Sequence, residues 1–251
     1  MPISHSCIKY IRSLDQKKVR RTEKVFLAEG PKIVGDLLGR FDCQLLVATS
    51  EWLQANRQQV AAQEVIEVSA EELSRASLLR TPQQVLGVFK QPDYNFDPTL
   101  PRRSLCLALD GVQDPGNLGT IIRVADWFGI EDIFCSPDTV EVYNPKVIQA
   151  TMGAIARIRT HYTSLSEMLV KLQDAPIFGT FLDGSNIYQE PLSSNGLIIM
   201  GNEGNGISPE IVALVNRRLF IPNYPTDRPT SESLNVAIAT SIICAEFRRR
   251  M

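Results

Sequence analysis

The fold is decided by residues 105–123, which read LCLALDGVQDPGNLGTIIR. The apolar run Leu105–Leu109 is typical of a strand that is buried in a parallel sheet. A polar loop follows, and Asn117 is of a residue type that often caps helices. Apolar side chains from Leu118 onward predict a helix over Leu118–Phe128 with one buried face. A strand, a loop and a helix in this order indicate an α/β fold, whose ligands bind beyond the carboxyl ends of the strands.

The same alternation continues along the chain. Short apolar runs predict further strands at Val25–Ala28, Cys43–Ala48, Val65–Val68, Val85–Phe89, Ile133–Cys135, Ile177–Leu182, Leu197–Met200 and Leu219–Ile221. Helix-start signals include first-turn prolines and a capping box formed by Ser69 and Glu72. The predicted helices are Pro31–Leu38, one from Ser69 through Leu78, Pro145–Ala154, Leu165–Leu172, Pro209–Val215 (with Ser208 as its cap) and Leu234–Arg248.

A proline-rich stretch divides the chain. Pro92, Pro98 and Pro101 interrupt a segment without sustained periodicity, a composition that favours an extended linker. We therefore predict a small α/β domain over residues 1–91, a linker over 92–103 and a second α/β domain over 104–251.

The composition is that of an ordered globular protein. Of the 251 residues, 44% are hydrophobic and 22% are charged. No stretch is long and apolar enough to predict a membrane span, and the first residues lack a signal-type apolar core, so we expect a cytoplasmic protein. Five widely spaced cysteines and two histidines argue against a zinc site and for buried thiols.

Charge is distributed unevenly, although the net charge is only -2. Residues 1–40 contain nine Lys/Arg and four Asp/Glu, whereas the remainder contains 17 and 24. The basic residues concentrate at Lys17, Lys18, Arg20, Arg21 and Lys24. Such a cluster is either a solvated face or a contact surface for phosphate backbones, and both interpretations stay open.

Two further loops follow predicted strands. Residues 201–206, GNEGNG, match neither the dinucleotide fingerprint nor the phosphate-binding P-loop, so they form either a tight turn or a ligand loop of another kind. A long polar segment after Ile221-Pro222 ends in Ser233-Leu234-Asn235, just before an apolar helix. On the predicted helix Leu118–Phe128, Arg123 either contacts a ligand or pairs with Asp126 on a solvated face.

Together these segments closely resemble the SpoU-type (TrmH-like) RNA ribose methyltransferases of the SPOUT superfamily. The matching segments are 117–123 with Phe128-Gly129, Asn144-Pro145-Lys146 leading to Met152-Gly153-Ala154, 200–206, and Ile221-Pro222 with Ser233-Leu234-Asn235. More loosely, residues 1–90, with Phe26-Leu27-Ala28-Glu29-Gly30, are similar to the ribosomal-protein-L30-like domain that often precedes such catalytic domains. The resemblance implies a C-terminal domain with a mostly parallel sheet and a trefoil knot.

The resemblance also implies an activity. A methyl group would pass from S-adenosylmethionine to a ribose 2′-hydroxyl of rRNA or tRNA, without a metal. The implied partners are RNA, rather than DNA or a membrane, and a second copy of the chain. The implied catalytic residues are Arg123, Asn117, Glu203, Ser233 and Asn235; backbone groups at Gly201, Ile221 and Leu234 would bind the donor, and Lys17, Lys18, Arg20 and Arg21 would bind RNA.

The role of Arg123 has two versions. The role commonly suggested for this arginine is general base, which is demanding because arginine is ordinarily protonated. Alternatively its cation binds a phosphate and stabilises the developing alkoxide.

One segment departs from the family pattern. Residues 223–232 are longer than usual and contain no glycine, which we interpret as an insertion beside the donor site that alters its rim near Ile221. A non-catalytic RNA-binding paralogue is the alternative function, and it predicts a broken Asn117/Arg123/Glu203 set, which is intact here. A small-molecule enzyme that uses another nucleotide would need a phosphate-binding glycine fingerprint, which the sequence lacks.

Overall fold

The computed structural model describes residues 3–225, 228, 231 and 233–250. They form two compact units. Unit 1 comprises the chain up to Asp93 together with Glu141–Ala156, and unit 2 comprises Tyr94–Val140 and the chain from Arg157 onward. Residues 141–156, which the sequence groups with 104–251, thus pack with the N-terminal part of the chain.

Unit 1 is built on a four-stranded mixed sheet of order β1-β4-β2-β3. Its elements are α1 (His5–Ser13), α2 (Lys17–Glu23), β1 (Val25–Glu29), α3 (Pro31–Leu37), β2 (Cys43–Thr49), α4 (Ser50–Ala55), β3 (Ala62–Val68), α5 (Ala70–Ala76), β4 (Val85–Lys90) and α7 (Pro145–Thr151). Helix α7 belongs to Glu141–Ala156, which we call the inserted segment of unit 1. Strand β4 is antiparallel to β1 and β2, and β2 is parallel to β3. The four predicted strands and the Ser69/Glu72 capping box are confirmed.

The inserted segment of unit 1 is held by an aromatic stack and an ion pair. The ring of Tyr143 stacks on the buried ring of Phe26 in β1 with 5.0 Å between centroids. The guanidinium of Arg20 in α2 donates to Glu141 Oε2 at 2.5 Å and to the carbonyls of Leu14 and Asp15. Arg20 is therefore an interior residue of unit 1 and does not lie on the basic surface to which the sequence assigns it.

Unit 2 is built on a six-stranded parallel sheet of order β10-β8-β9-β5-β6-β7. Its strands and α-helices are β5 (Leu105–Leu109), α6 (Pro115–Trp127), β6 (Asp132–Cys135), β7 (Arg159–Tyr162), α8 (Leu165–Val170), β8 (Ile177–Asn186), β9 (Gly196–Met200), α9 (Pro209–Val212), β10 (Arg217–Phe220) and α10 (Val236–Arg249). The predicted α/β class and mostly parallel sheet are confirmed. Because all strands are parallel, the loops after β5, β6, β9 and β10 emerge at one edge of the sheet.

Helix α6 differs from the prediction at its start. It begins at Pro115, and its N-cap is Asp114, whose Oδ1 accepts a hydrogen bond from the backbone N–H of Asn117 at 2.8 Å. The predicted cap at Asn117 is therefore wrong, and the Asn117 side chain is available for other contacts. The predicted apolar face is confirmed, since Leu118 and Ile122 are fully buried.

The predicted helix Pro209–Val215 is shorter in the structure, and the cysteines are mostly buried, as predicted. Helix α9 is only four residues long, and the side chain of Ser208 does not cap it. Four of the five cysteines are buried and Cys7 is half-buried. In the described part of the chain, no helix is long and apolar enough to cross a membrane.

Candidate active site

Two loops are joined at the carboxyl edge of the unit 2 sheet. The backbone N–H of Asp110, after β5, donates to the carbonyl of Met200 at the end of β9, at 2.9 Å. The Asp110 carboxylate accepts from the N–H of Ser208 at 2.7 Å, and Asn202 Nδ2 donates to the carbonyl of Gly111 at 2.7 Å. These bonds fix the glycine-rich loop of residues 201–206 against the loop that begins at Asp110.

The glycine-rich loop closes on itself. Asn202 and Gly206 exchange two backbone hydrogen bonds of 2.9 Å, and Asn202 Oδ1 accepts from the N–H groups of Gly204 and Asn205. A Cβ at Gly201 would lie 2.2 Å from the carbonyl carbon of Gly206, so this position requires glycine. Packing alone therefore explains Gly201.

Three of the predicted catalytic side chains form one hydrogen-bonded chain. Asn117 Nδ2 donates to Glu203 Oε1 at 2.9 Å, and Asn235 Nδ2 donates to Asn117 Oδ1 at 2.9 Å. Asn235 also caps α10, because its Oδ1 accepts from the N–H groups of Ala237 and Ile238. The structure thus brings together residues from 86 to 118 positions apart in the sequence.

Arg123 and Ser233 lie outside this chain of hydrogen bonds. Arg123 is exposed on α6, six residues and about 9 Å along the helix axis from Asn117. Within the described residues, Arg123 makes no hydrogen bond or ion pair, and Asp126 is held instead by Arg157 through two bonds of 2.7 Å. The alternative pairing of Arg123 with Asp126 is therefore not formed. Ser233 is exposed, two residues before Asn235.

The residues predicted to bind the donor lie on different loops. Gly201 follows β9, Ile221 follows β10, and the side chain of Leu234 is 48% exposed just before α10. Strand β8 separates β9 from β10 in the sheet. Of the long segment at 223–232, residues 226, 227, 229, 230 and 232 lie outside the described residues.

Sequence reasoning missed the loop after β6. Ser136 Oγ accepts a hydrogen bond from the N–H of Gly111 at 2.8 Å and donates to Asp138 Oδ1 at 2.5 Å. Thr139 Oγ1 donates to the carbonyl of Leu109 at 3.0 Å. Since Gly111 in turn binds Asn202, Ser136 supports the glycine-rich loop indirectly. Its position directly after an apolar strand, at the same sheet edge as the other loops, is the signal that could have identified it.

The loops after β5, β6 and β9 are negatively charged. Asp110, Asp114, Asp138 and Glu203 lie on the three loops, and residues 110–114, 136–140 and 201–208 contain no lysine or arginine. This charge favours a cationic ligand over one that carries phosphates. Among the described residues, no group of three or more His, Cys, Asp or Glu side chains is arranged to hold a metal ion.

Comparison with protein families identifies both parts of the chain. The model of the SpoU rRNA Methylase family matches residues 104–245. The model of the MRM3-like substrate binding domain matches residues 5–87.

Individual proteins are similar over the whole length. The chain is 29% identical over 245 residues to the 23S rRNA (guanosine(2553)-2′-O)-methyltransferase RlmP of Bacillus subtilis, covering 96% of this chain and 95% of that one. A solved structure from Porphyromonas gingivalis, assigned to the TrmH family, is 42% identical with a TM-score of 0.90 and 99% coverage of both chains. An AdoMet-bound rRNA methyltransferase from Sinorhizobium meliloti is 30% identical with a TM-score of 0.82, covering 98% of this chain and 95% of that one.

Proposed function

Because the chain belongs to the SpoU rRNA methylase family, we propose that it methylates ribosomal RNA at a guanosine ribose. The reaction is the transfer of a methyl group from S-adenosylmethionine to the ribose 2′-hydroxyl. The relative RlmP, named as a guanosine 2′-O-methyltransferase of 23S rRNA, supports this choice of RNA and base. The observation that carries the proposal is the hydrogen-bonded chain of Asn235, Asn117 and Glu203 beside the glycine-rich loop.

The residues present fit this methyl donor. Its sulfonium is a cation and an activated electrophile, and the loops after β5, β6 and β9 carry carboxylates without lysine or arginine. We propose that backbone groups at Gly201, Ile221 and Leu234 bind the donor. The Ser208 hydroxyl, which is buried without a partner among the described residues, is a further polar group next to the glycine-rich loop.

The side chains of the site are proposed to position the ribose and to stabilise charge. Asn117, Glu203 and Asn235 position the ribose, because each is fixed by another member of the set, and Ser233 adds an exposed hydroxyl beside them. Arg123 acts as a cation that binds a phosphate next to the target ribose and stabilises the developing alkoxide. We favour this role over that of a base because Arg123 is exposed to water and no described carboxylate neutralises it.

RNA binding falls to residues 1–91. The exposed side chains of Lys17, Lys18 and Arg21 provide positive charge, whereas Arg20 is buried against Glu141 and does not contribute to this surface. Residues 92–103 then connect the RNA-binding region to the catalytic region at 104–251.

We also propose that the protein is a homodimer with a trefoil knot and that it is located in the cytoplasm. We expect a homodimer through α6 and α10, on which Trp127 and Ile238 remain 84% and 52% exposed. We also expect a trefoil knot, which is consistent with α10 lying along α6, where Arg248 Nε donates to the carbonyl of Phe128 at 2.7 Å. Light scattering of the wild type and of Ile238→Lys tests the dimer, and cell fractionation tests the expected cytoplasmic location.

Methyl transfer from labelled S-adenosylmethionine tests the function. The substrates are rRNA and tRNA from a strain that lacks the gene, and ribose-methylation mapping then identifies the nucleotide. We expect label in rRNA at a guanosine 2′-oxygen. Label in tRNA alone would contradict the proposed substrate, and RNA binding without any transfer would favour the non-catalytic paralogue.

A further inference from the structure

A cleft of about 340 Å³ opens in unit 1 where β1 ends. Its walls are the start of α3, the loop of residues 79–83 and the end of α7. Its lining includes Lys32, Leu79, Arg80, Gln83, Gln149 and Met152. The volume lies at the lower end of the range for small-ligand pockets, which is enough for one nucleotide-sized group rather than a long segment.

The walls of the cleft are held in place by buried contacts. Glu29, at the end of β1, accepts hydrogen bonds from the hydroxyl of Ser77 and, at 3.0 Å, from the N–H of Leu78. Next to Met152 of the opposite wall, Gly153 has a φ of +93°, and a Cβ there would lie 2.1 Å from Asp36 Oδ2. Only glycine lets the inserted segment lie so close to α3. The cleft is therefore formed before any ligand arrives, which lowers the entropic cost of binding.

Apart from the buried carboxylate of Glu29, which Ser77 and Leu78 hold, the lining combines positive charge, an apolar surface and amide groups. Among the described residues, the exposed Arg80 makes no hydrogen bond or ion pair, and Lys32 pairs with Asp36 alone, at 3.0 Å. Met152 is 43% exposed, and methionine side chains adapt to flat, polarisable ligands. Gln83 and Gln149 supply both donors and acceptors. A phosphate beside an aromatic base is the ligand that uses all three kinds of group.

We propose that this cleft binds one unstacked nucleotide of the RNA substrate. The base lies against Met152 and Leu79, the amides of Gln83 and Gln149 contact its edge, and Arg80 binds the adjacent phosphate. RNA-binding proteins read single-stranded segments in this way, through unstacked bases rather than through the helix. The inference rests on the proposed function, because it takes RNA as the partner.

Fluorescence anisotropy with labelled oligouridylate and oligoadenylate tests the proposal. We expect Met152→Ala to weaken binding about fivefold without changing its salt dependence, since a base contact is lost. We expect Arg80→Ala to lower the slope of log affinity against log salt by about one, since a phosphate contact is lost. Arg57→Ala is the matched control, because Arg57 is exposed and lies between α4 and the start of β3, at the opposite end of the sheet. It should bind as the wild type does.

Crosslinking locates the base independently of any variant. An oligomer that carries 4-thiouridine should, on irradiation of the wild-type protein, crosslink to peptides containing residues 79–83 or 149–152. The proposal is overturned if neither variant differs from Arg57→Ala, if crosslinks map elsewhere, or if a blunt RNA duplex binds as tightly through the same residues. Methyl transfer to rRNA is measured in parallel. If methyl groups are transferred but Arg80→Ala binds RNA as the wild type does, only the proposed role of the cleft is refuted. If RNA binding depends on the cleft but no methyl group is transferred, only the proposed function is refuted.

Discussion

Arg20 and Glu141, 121 residues apart in the chain, form an ion pair of 2.5 Å in which the arginine side chain is 1% exposed. Replacing Glu141 by Gln leaves a buried guanidinium without its counter-charge, so we expect the free energy of unfolding of unit 1 to fall by about 3 kcal/mol. Urea unfolding followed by fluorescence of the buried Trp52, in a Trp127→Phe background, measures this. Arg21→Ala removes an exposed arginine of the same helix and should change that free energy by less than about 0.5 kcal/mol. Equal effects of the two variants would contradict the interior role of Arg20.

The two functions of Asn235 can be separated by one substitution. Asn235→Asp keeps the oxygen that caps α10 but loses the Nδ2 donor to Asn117. We therefore expect the melting temperature to stay near that of the wild type and kcat to fall about 100-fold, because the set that we propose to position the ribose is misplaced. Asn235→Ala should lose activity as well and additionally about 1 kcal/mol of stability. An Asp variant with normal turnover would show that the Asn235 to Asn117 bond is not needed for the reaction.

Arg123 is expected to act through its charge and its planar geometry. Arg123→Ala should lower kcat by about 100-fold or more, with little effect on stability because the side chain is exposed and unpaired among the described residues. Arg123→Lys keeps the charge but not the two-pronged geometry, so it should recover only part of that loss. Near-normal turnover of the lysine variant in a single-turnover assay would show that the planar guanidinium is not needed, and near-normal turnover of Arg123→Ala would rule out both roles considered for Arg123.

Ser136 is expected to affect donor binding more than turnover. Ser136→Ala removes the support of Gly111, whose carbonyl holds Asn202 in the glycine-rich loop. We expect the KM for S-adenosylmethionine to rise about tenfold while kcat changes less, since the loop and not the reacting groups is loosened. Ser164→Ala, which removes the cap of α8 in the same unit, controls for general destabilisation and should leave that KM unchanged. A parallel rise in both variants would refute the specific role of Ser136.

The carboxyl group of Glu29 makes the stability of unit 1 dependent on pH. Burial raises the pKa of Glu29 above its ordinary value of 4.5, although hydrogen bonds from Ser77 and Leu78 and the charge of Arg12 lower it in part. Between the ordinary and the raised pKa the folded state binds more protons than the unfolded state, so stability falls as pH rises through this window. Glu29→Gln keeps a hydrogen-bonding side chain that does not titrate, so its melting temperature should vary less as the pH rises from 4.5 through the raised pKa of Glu29. An unchanged pH profile would mean that Glu29 does not cause this dependence.

The sequence predicts the interior of both sheets well and their edges less well. Apolar runs such as Leu105–Leu109 have no alternative to burial, and this strand has the bounds that the pattern predicts. Strand β7, Arg159–Tyr162, was missed because its residues are polar. It forms the sheet edge through contacts that no local pattern reveals, since Arg159 and His161 both bind the buried carboxylate of Asp132.

The site shows the same limit at the level of single residues. The motifs that carry Asn117, Glu203 and Asn235 are visible in the sequence, but the order in which they hydrogen-bond depends on how three distant loops meet. Arg20 illustrates the opposite error. It stands in a basic run that predicts a solvated or RNA-facing surface, and only the position of Glu141, far along the chain, turns it inward.

The placement of Glu141–Ala156 in unit 1 has a consequence for synthesis and for dissection of the protein. When a ribosome has made only residues 1–93, the segment Glu141–Ala156 of unit 1 has not yet been synthesised. Arg20 therefore cannot pair with Glu141 until residue 141 has left the ribosome. Equally, a protease that cuts once within 92–103 does not release two independent domains. The C-terminal fragment still carries a helix that belongs to the N-terminal fold, so the two pieces are expected to copurify.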